Sequence, residues 1–361
     1  MTHTKTWTWA VLAGIAIVIA LSAPATALEH YEFTDTHAFA HTSGPDIDVE
    51  TVAGNATYKG IDGATETTVQ VVIDVRADNR EEAQEILDEI EIIVDGSNDY
   101  LDVFVDRPDN FSRLLRRHYG RERSISVSFF ITGPTGARGS LATVSGLVKA
   151  EMITGPVDLS SVSGDIMVAD VQDRVRAKSV SGQVSVTDCH ADVRAEAVSG
   201  DVHVSNCGGD LNAETVSGEL AISDVFGYAE LSSVSGDIDA REIGGALRAQ
   251  TTSGEIDVNH QSGDLELETV SGDIVARSES TDGILDASSH SGSVRLYANV
   301  TQIGKINLST FSGDMRIDSD LDGSNALGRA RGRGSLSLTL GDGRLYVDMT
   351  THSGDIYVEE L

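Results

Sequence analysis

Two cysteines and a neighbouring histidine are the first side chains in this sequence whose types and spacing could do chemistry. Cys189 and Cys207 lie one period of a repeat apart, and His190 directly follows the first of them. Thiolates and an imidazole can bind zinc, but the usual short spacings between zinc ligands are missing, so we do not expect a metal centre. Two adjacent thiols could instead form a disulfide, or could fill a core as small apolar groups. Both alternatives stay open from the sequence.

Carboxylates are abundant, and a pair of them could supply the acid and the base of a glycan-cleaving enzyme. Here they recur at fixed places in a repeat, whereas catalysis needs unlike groups that converge on one point. His290 and His352 depart from the repeat, but we interpret each as a substitution near the end of the array. No phosphate-binding loop, nucleophile elbow or paired metal motif occurs in the sequence. We therefore predict no catalytic residue, no metal site and no cofactor.

The repeat is the strongest pattern in the chain. Ser-Gly recurs at a constant interval, with its serines at Ser145, Ser163, Ser181, Ser199, Ser217, Ser235, Ser253 and Ser271, and then with a looser phase as far as Ser353. The clearest marks are Ser163-Gly164-Asp165, Ser199-Gly200-Asp201, Ser235-Gly236-Asp237 and Ser271-Gly272-Asp273. A constant period over many copies predicts a solenoid of stacked coils.

The apolar positions within one coil indicate its shape. After Ser199 they are Val202, Val204, Cys207, Leu211, Ala213 and Val216, a spacing that repeats itself in two similar halves of the coil. Gaps of two residues are typical of strands with alternate side chains pointing inward. A left-handed hexapeptide helix would instead show a period of six. We predict an all-β parallel β-solenoid, right-handed by the crossover rule, with about 18 residues and two main strands per coil.

Stacking turns each position of the coil into a column. The serines are expected to form a hydroxyl ladder, and the glycines to take a turn conformation that strains other residues. The column that contains Asp165 and Asp201 places like charges at strand spacing, where they repel by about 1 kcal/mol per pair in water. This column could bind cations, or its carboxylates could serve the turn; we favour the turn. Cys189 and Cys207 share another column and are expected to be neighbours.

The chain before the repeat divides into three parts. Residues 1–27 resemble a cleaved secretory signal peptide, with an uncleaved membrane anchor as the alternative. Residues 28–44 are predicted to be a polar leader. Residues 45–138 are predicted to form a small α/β cap, with a helix over 78–90 and another near 111–118, in front of the solenoid at 139–361. The last coil ends at Leu361 with little cap, so its edge would be open to a partner.

The charge of the chain excludes some partners. It carries 57 acidic and 26 basic residues, a formal net charge of -31. Such a field repels nucleic acid, and its self-repulsion weakens the fold unless salt screens it. The acidic, lysine-poor composition resembles that of proteins from halophilic archaea. A basic cluster that includes Arg113, Arg116 and Arg117 could contact an anionic surface or pair with the protein's own acids. Four sequons predict surface glycosylation at Asn55, Asn110, Asn299 and Asn307.

The layout resembles the extracytoplasmic β-strand-repeat proteins labelled "putative adhesin". They share an N-terminal segment with a short helix, a strand such as residues 126–131, and many Ser-Gly-Asp-Ile coils. The resemblance covers most of residues 45–361 and implies a secreted or cell-surface protein with no catalytic residues to carry over. We expect an exported, non-catalytic adhesion or interaction scaffold that binds a surface protein or glycan. A polysaccharide-processing β-helix enzyme of the cell envelope is the alternative. An integral membrane protein is not expected if the signal is cleaved.

Overall fold

Two long β-sheets, of 16 and 15 strands, make up almost all of the described chain. The computed structural model describes residues 28–41, 44–106, 123–260, 262–318, 330–331, 334–339 and 343–361. No helix in these ranges is long and apolar enough to cross a membrane. The signal peptide predicted for residues 1–27 and the helix predicted near residues 111–118 lie outside the described residues.

The described residues before the repeat contribute seven strands and a helix. Their bounds are β1 Glu29–Ala40, β2 Asp46–Ala53, β3 Ala56–Ile61, β4 Glu66–Ala77, α1 Arg80–Leu87, β5 Glu91–Gly96, β6 Tyr100–Asp106 and β7 Ser124–Pro134. The side chain of Asn79 caps α1 by accepting a hydrogen bond from the backbone N–H of Glu82, and the helix buries Ala83 and Ile86. The predicted polar leader is largely β1, which pairs antiparallel with β4 because its phenylalanines pack against the core.

The solenoid strands alternate between the two sheets. One sheet receives β8 Arg138–Ser145, β10 Val157–Ser161, β12 Val175–Ser179, β14 Val193–Ala197, β16 Leu211–Thr215, β18 Ala229–Ser233, β20 Leu247–Ser253, β22 Leu265–Ser271 and β24 Asp282–Ser291. The other receives β9 Val148–Ile153, β11 Ile166–Val171, β13 Val184–Cys189, β15 Val202–Cys207, β17 Leu220–Val225, β19 Ile238–Ile243, β21 Ile256–His260, β23 Ile274–Ser278 and β25 Val294–Ala298. A short 3₁₀-helix, Val300–Gln302, leads to β26 Ile303–Ser312, β27 Asp314–Asp318, β28 Ala330–Arg331, β29 Gly334–Thr339, β30 Arg344–Ser353 and β31 Ile356–Glu360.

Neighbouring coils stack as parallel strands in register. Val202 lies beside Val184 on one side and Leu220 on the other. Along β13 the buried residues are Val184, Val186 and Cys189, with more exposed residues between them. Alternate side chains of a strand point to opposite faces, so Val, Ile, Leu and Ala fill the space between the sheets. The prediction of an all-β chain with long parallel sheets is confirmed.

The column of bonded hydroxyls lies two residues before the repeat serine. Thr215 donates a hydrogen bond of 3.2 Å to the carbonyl oxygen of Gly200, and Thr251 one of 3.1 Å to that of Gly236. Both threonines are buried, whereas the repeat serines such as Ser199 are exposed. The ladder at the serine position stays a prediction, and the turn directs Ser199 to solvent. The residue two places earlier faces inward, where a buried hydroxyl is stabilised by a hydrogen bond, although the hydroxyls of Ser161 and Ser233 have no partner among the described residues.

Position 200 in the Ser-Gly repeat requires glycine because two coils approach each other closely there. The backbone φ of Gly200 does not require it. A Cβ atom on Gly200 would lie 2.1 Å from the carbonyl oxygen of Gly182 in the preceding coil. The positive φ that we predicted at the repeat glycines occurs at Gly146 and Gly292 but not at Gly200, and it also occurs at Asp188 and Asn206, each with φ of 55°. Asp and Asn adopt this conformation more readily than most residues with a Cβ.

The C-terminal coil is not the last coil in space. β30 pairs in parallel with β24 on one side and β26 on the other, and β31 lies between β25 and β27. Residues 344–360 therefore insert between two coils that precede them in the chain. Beyond them, β29 pairs antiparallel with β26, and β28 with β27. The expectation of an open coil at Leu361 is wrong, because both of its strands have a neighbour on each side.

The N-terminal end also consists of stacked parallel strands that antiparallel strands extend. β2 lies between β6 and β8, and β3 lies between β7 and β9, in parallel pairing throughout. The antiparallel strands β5, β4 and β1 then extend the sheets at that end. The outermost strands at both ends are thus antiparallel additions to the stack of parallel coils.

Candidate functional site

A ridge of exposed apolar side chains runs along the solenoid at the position directly before the repeat serine. Its valines are between 39% and 48% exposed, and they stack coil on coil through hydrogen bonds of the adjoining backbone. They are Val144, Val162, Val180, Val198, Val216, Val234 and Val270. We call this set the valine ridge. It occupies the last of the six apolar positions in the coil, where the turn points the side chain outward while the preceding Thr, Ser or Ala points inward.

Three aromatic rings continue the valine ridge at its C-terminal end. The rings of His290 and His352 are stacked with centroids 4.9 Å apart and planes 1° apart. His352 also stacks on Phe311, at 4.7 Å and 3°. The insertion of β30 between β24 and β26 brings these rings together in an order that differs from their order in the chain. We call His290, His352 and Phe311 the ring stack.

A groove of about 690 Å³ lies beside the ring stack. Besides the rings, the exposed or half-buried residues that line it are Glu268, Val270, Ser288, Ser309, Gly334, Ser335 and Thr350. Glu268 pairs with Ser288, Ser288 with Thr350, Thr350 with Ser309, and Ser309 with Ser335. The groove therefore presents one carboxylate and four hydroxyls in a row across five neighbouring strands.

Two carboxylates lie side by side near the groove. Asp286 pairs with Asp348 across β24 and β30, two residues before Ser288 and Thr350 and on the same face of the sheet. Burial raises the pKa of the Asp286 carboxyl, and the charge of Asp348 raises it further. Asn307 donates a hydrogen bond of 3.3 Å to Asp348. This is the pair of carboxylates that a glycan-cleaving enzyme would need, although Asp286 and Asp348 are not among the residues that line the groove.

The repeat-containing part of the chain matches a known protein family. Residues 137–242 and 245–359 match the family described as Toastrack DUF4097, and together these stretches exceed half of the chain. The chain belongs to the Toastrack family. The Toastrack match takes in the valine ridge, the ring stack and the groove. A comparison with curated protein sequences finds no significant match.

Solved structures of bacterial proteins are similar to the Toastrack chain over most of its length. A "putative adhesin" from Bacteroides fragilis shares 14% identity, covering 91% of this chain and 97% of that chain, with a TM-score of 0.27. A "putative cell adhesion protein" from Clostridium sporogenes shares 7%, covering 92% and 100%, with a TM-score of 0.22. A "putative lipid binding protein" from Parabacteroides distasonis shares 12%, covering 90% and 96%, with a TM-score of 0.30. Scores this low carry no argument about the site.

Carboxylates in the acidic column of the Toastrack repeat accept hydrogen bonds from the backbone of the next coil. The Asp201 carboxylate accepts a hydrogen bond of 3.0 Å from the backbone N–H of Glu219, and Asp237 accepts one of 2.8 Å from that of Glu255. Each aspartate thus bonds to the residue at the same position in the next coil, an arrangement that fits the favoured interpretation. Among the described residues, no group of three or more His, Cys, Asp or Glu side chains is placed to hold a metal ion.

Cys189 and Cys207 are direct neighbours in the paired strands β13 and β15. Both are buried free thiols, and His190 is exposed, so the three do not form a zinc site. The Cys189 thiol lies 3.7 Å from the carbonyl oxygen of Thr187, and burial raises the pKa of Cys189 to about 12. Burial also raises the pKa of Cys207. A disulfide between the two stays a hypothesis.

The basic cluster lies mostly outside the described residues, which exclude Arg113, Arg116 and Arg117. Its described member, Arg123, pairs with Asp78 and, at 3.1 Å, with Glu82. The ion pairs of Arg123 agree with the alternative in which the arginines of the cluster pair with the protein's own acids.

The sequons differ in how their asparagines are held. Asn55 accepts a backbone hydrogen bond of 3.0 Å from Leu147, and Asn299 caps the 3₁₀-helix. The amide nitrogen of Asn307 donates to Tyr346 and to Asp348, so glycosylation there would replace those bonds. Asn110 lies outside the described residues. Glycosylation at the four positions stays a prediction.

Sequence reasoning missed the valine ridge and the ring stack. Valine before Ser-Gly is visible in the sequence, and so are His290 and His352 in its place. Phe311 also stands directly before a Ser-Gly pair and could have been found by the same alignment. The signal for the ridge is an apolar residue directly after an inward Thr, Ser or Ala, where the strand alternation predicts an outward side chain.

Proposed function

We propose that this Toastrack protein is an exported, non-catalytic scaffold for interaction or adhesion at the cell surface. The observation that carries the proposal is the valine ridge, a line of half-exposed apolar side chains, interrupted once by Thr252, on a chain with a net charge of -31. Contiguous exposed apolar patches of more than a few hundred Å² mark interaction sites on soluble proteins. The ridge crosses coil after coil, which suits a long contact rather than a small ligand.

The proposal also includes details of the fold and location that come from the sequence predictions. The solenoid is right-handed, with about 18 residues per coil, and its N-terminal cap is followed by the repeat domain at residues 139–361. The protein is secreted through a signal at residues 1–27 and works in high salt. There the Debye length is about 3 Å at 1 M, so the repulsion among its carboxylates is weak while apolar contacts persist.

A glycan-processing enzyme is the second candidate, and one observation favours it. Asp286 and Asp348 are adjacent carboxylates close to a groove, and the pKa of Asp286 is raised, as expected of a general acid. Two observations count against the enzyme. The charges of neighbouring carboxylates contribute to the raised pKa of Asp286. Asn307 also donates a hydrogen bond to Asp348.

Incubation with isolated cell envelopes and with the purified glycans of that envelope tests the two candidates. The scaffold predicts retention on the envelope with no release of reducing ends, both from the intact chain and from a chain with Asp286→Asn and Asp348→Asn. Depolymerisation of any envelope glycan by the intact chain, lost in the double variant, would establish the enzyme and contradict the scaffold.

A further inference from the structure

We propose that the groove beside the ring stack binds a neutral, hydroxyl-rich saccharide chain. This inference rests on the proposed function, because it names one ligand class that the scaffold engages. The groove volume of about 690 Å³ falls within the roughly 300 to 1,000 Å³ that is typical of ligand sites.

The groove stands where the repeat breaks. Every valine of the ridge from Val144 to Val234 follows the pattern, whereas His290, His352 and Phe311 replace it in three coils that are adjacent in space. Their separation in the chain hides this clustering, because β30 inserts between β24 and β26. The coil of Ser253 also departs, with Thr252 in place of valine, but three departures that meet at one place indicate a local site.

The floor of the groove matches a polyhydroxylated ligand. The hydroxyls of Ser288, Thr350, Ser309 and Ser335 occupy paired positions on successive strands. Strands are spaced by about 4.8 Å, so four intervals from Glu268 to Ser335 give a row about 19 Å long. A hydroxyl both donates and accepts hydrogen bonds, so such a row suits a ligand whose own hydroxyls recur along its length.

The charge of the site selects a neutral ligand. Among the residues that the structure describes, no lysine or arginine lines the groove, and its charged lining residue, Glu268, is an anion held by a 3.2 Å hydrogen bond from Gln250. The whole chain, at -31, also repels polyanions. The ring stack and Val270 also line the groove and offer an apolar surface to the C–H groups of a sugar. An acidic glycan or a nucleic acid would be rejected here.

The test titrates the full chain at high salt with neutral hexasaccharides of glucose, mannose and galactose, and with hexagalacturonate as an acidic counterpart. Binding is followed by calorimetry. We expect at least one neutral hexasaccharide to bind, and hexagalacturonate to bind at least about tenfold more weakly. No binding to any neutral member, or tighter binding of the acidic one, would overturn the proposal.

Two sets of variants locate the binding. His290→Val, His352→Val and Phe311→Val together restore the residue that the other coils carry, so the fold should be kept while affinity falls about tenfold or more. Ser288→Ala with Ser309→Ala should also weaken binding. Ser160→Ala with Ser232→Ala changes the same column outside the groove and should have no effect. Unchanged affinity in both groove variants would place the saccharide elsewhere and refute the assignment.

Failure of this inference can be told apart from failure of the proposed function. Val180→Ser, Val198→Ser and Val216→Ser alter the valine ridge and should leave saccharide affinity unchanged. If saccharides do not bind but envelopes still retain the chain through the ridge, the groove assignment fails and the scaffold stands.

Discussion

The carboxylate of Asp201 accepts the backbone N–H of Glu219 at 3.0 Å, and the two residues hold the same position in successive coils. The same bond joins Asp165 to Gln183 and Asp273 to Ser293. From Asp165 to Ser293, aspartate thus alternates with another residue along this column, and each of these aspartates bonds to the next coil. The bond connects coils that otherwise touch through strand pairing and core packing.

Replacing Asp201 with alanine should therefore lower the free energy of unfolding by about 1 kcal/mol, because the N–H of Glu219 loses its acceptor. Asp201→Asn keeps an oxygen acceptor and removes a charge, so it should cost less, and least at low salt where repulsion is strongest. Urea denaturation at low and high NaCl measures the free energy of unfolding of both variants. Glu219→Ala is the control, since it removes a carboxylate from the column but leaves this bond. Equal effects of Asp201→Ala and Glu219→Ala would show that the bond contributes nothing.

Gly200→Ala should destabilise the solenoid by about 1–3 kcal/mol or more, because the added Cβ would meet the carbonyl oxygen of Gly182 at 2.1 Å. The clash is with backbone, so no side chain can move away to relieve it. Gly334→Ala is the matched control, since no described atom lies within 4 Å of its added Cβ. Thermal unfolding of the two variants compares them. A Gly200→Ala protein as stable as the control would rule out the close stacking of coils described here.

Stability should fall as the pH drops through about 6.5 because of His260. This side chain is fully buried, its Nε2 lies 3.2 Å from the carbonyl oxygen of Gly263, and its Nδ1 has no hydrogen-bond partner among the described residues. Burial holds the pKa of His260 below its ordinary value of 6.5. The unfolded chain then binds a proton at a pH where the folded chain does not, so stability is present above this pH and is lost below it.

The substitution His260→Ile tests this directly, because Ile243 occupies the neighbouring place in the same column. The variant should lose part of the decline in urea midpoint between about pH 7 and pH 5. An identical decline in the variant would contradict this role of His260.

Native Cys189 and Cys207 should react very slowly with a thiol reagent at about pH 8, because both are buried and the pKa of Cys189 is raised to about 12. After denaturation without reductant, two free thiols per chain are expected. A count of zero would instead establish the disulfide that their neighbouring positions also allow.

The repeat made the regular part of this fold predictable. A serine at a constant interval, with apolar residues at gaps of two, indicated parallel strands with Val202 and Val204 facing inward. It also placed Cys189 beside Cys207. These inferences depend on strand alternation and register, which are local properties of the chain.

The ends of the solenoid could not be predicted from the same marks. Ser353 carries the Ser-Gly-Asp mark, but nothing in that mark specifies that its coil lies between those of Ser291 and Ser312. The order of coils depends on which neighbours fit best in three dimensions. For that reason the stacking of His290, His352 and Phe311, and the groove beside them, could not be inferred from the sequence.

The most direct test of the scaffold is envelope binding by a chain with an altered valine ridge. Val180→Ser, Val198→Ser and Val216→Ser remove apolar surface where each side chain is already half-exposed, so the core should be kept. Met167→Ser with Phe226→Ser removes exposed apolar surface away from the ridge and serves as the control. Sedimentation with isolated envelopes should show binding reduced about tenfold or more for the ridge variant and unchanged for the control. Equal binding by the ridge variant and the intact chain would contradict the account.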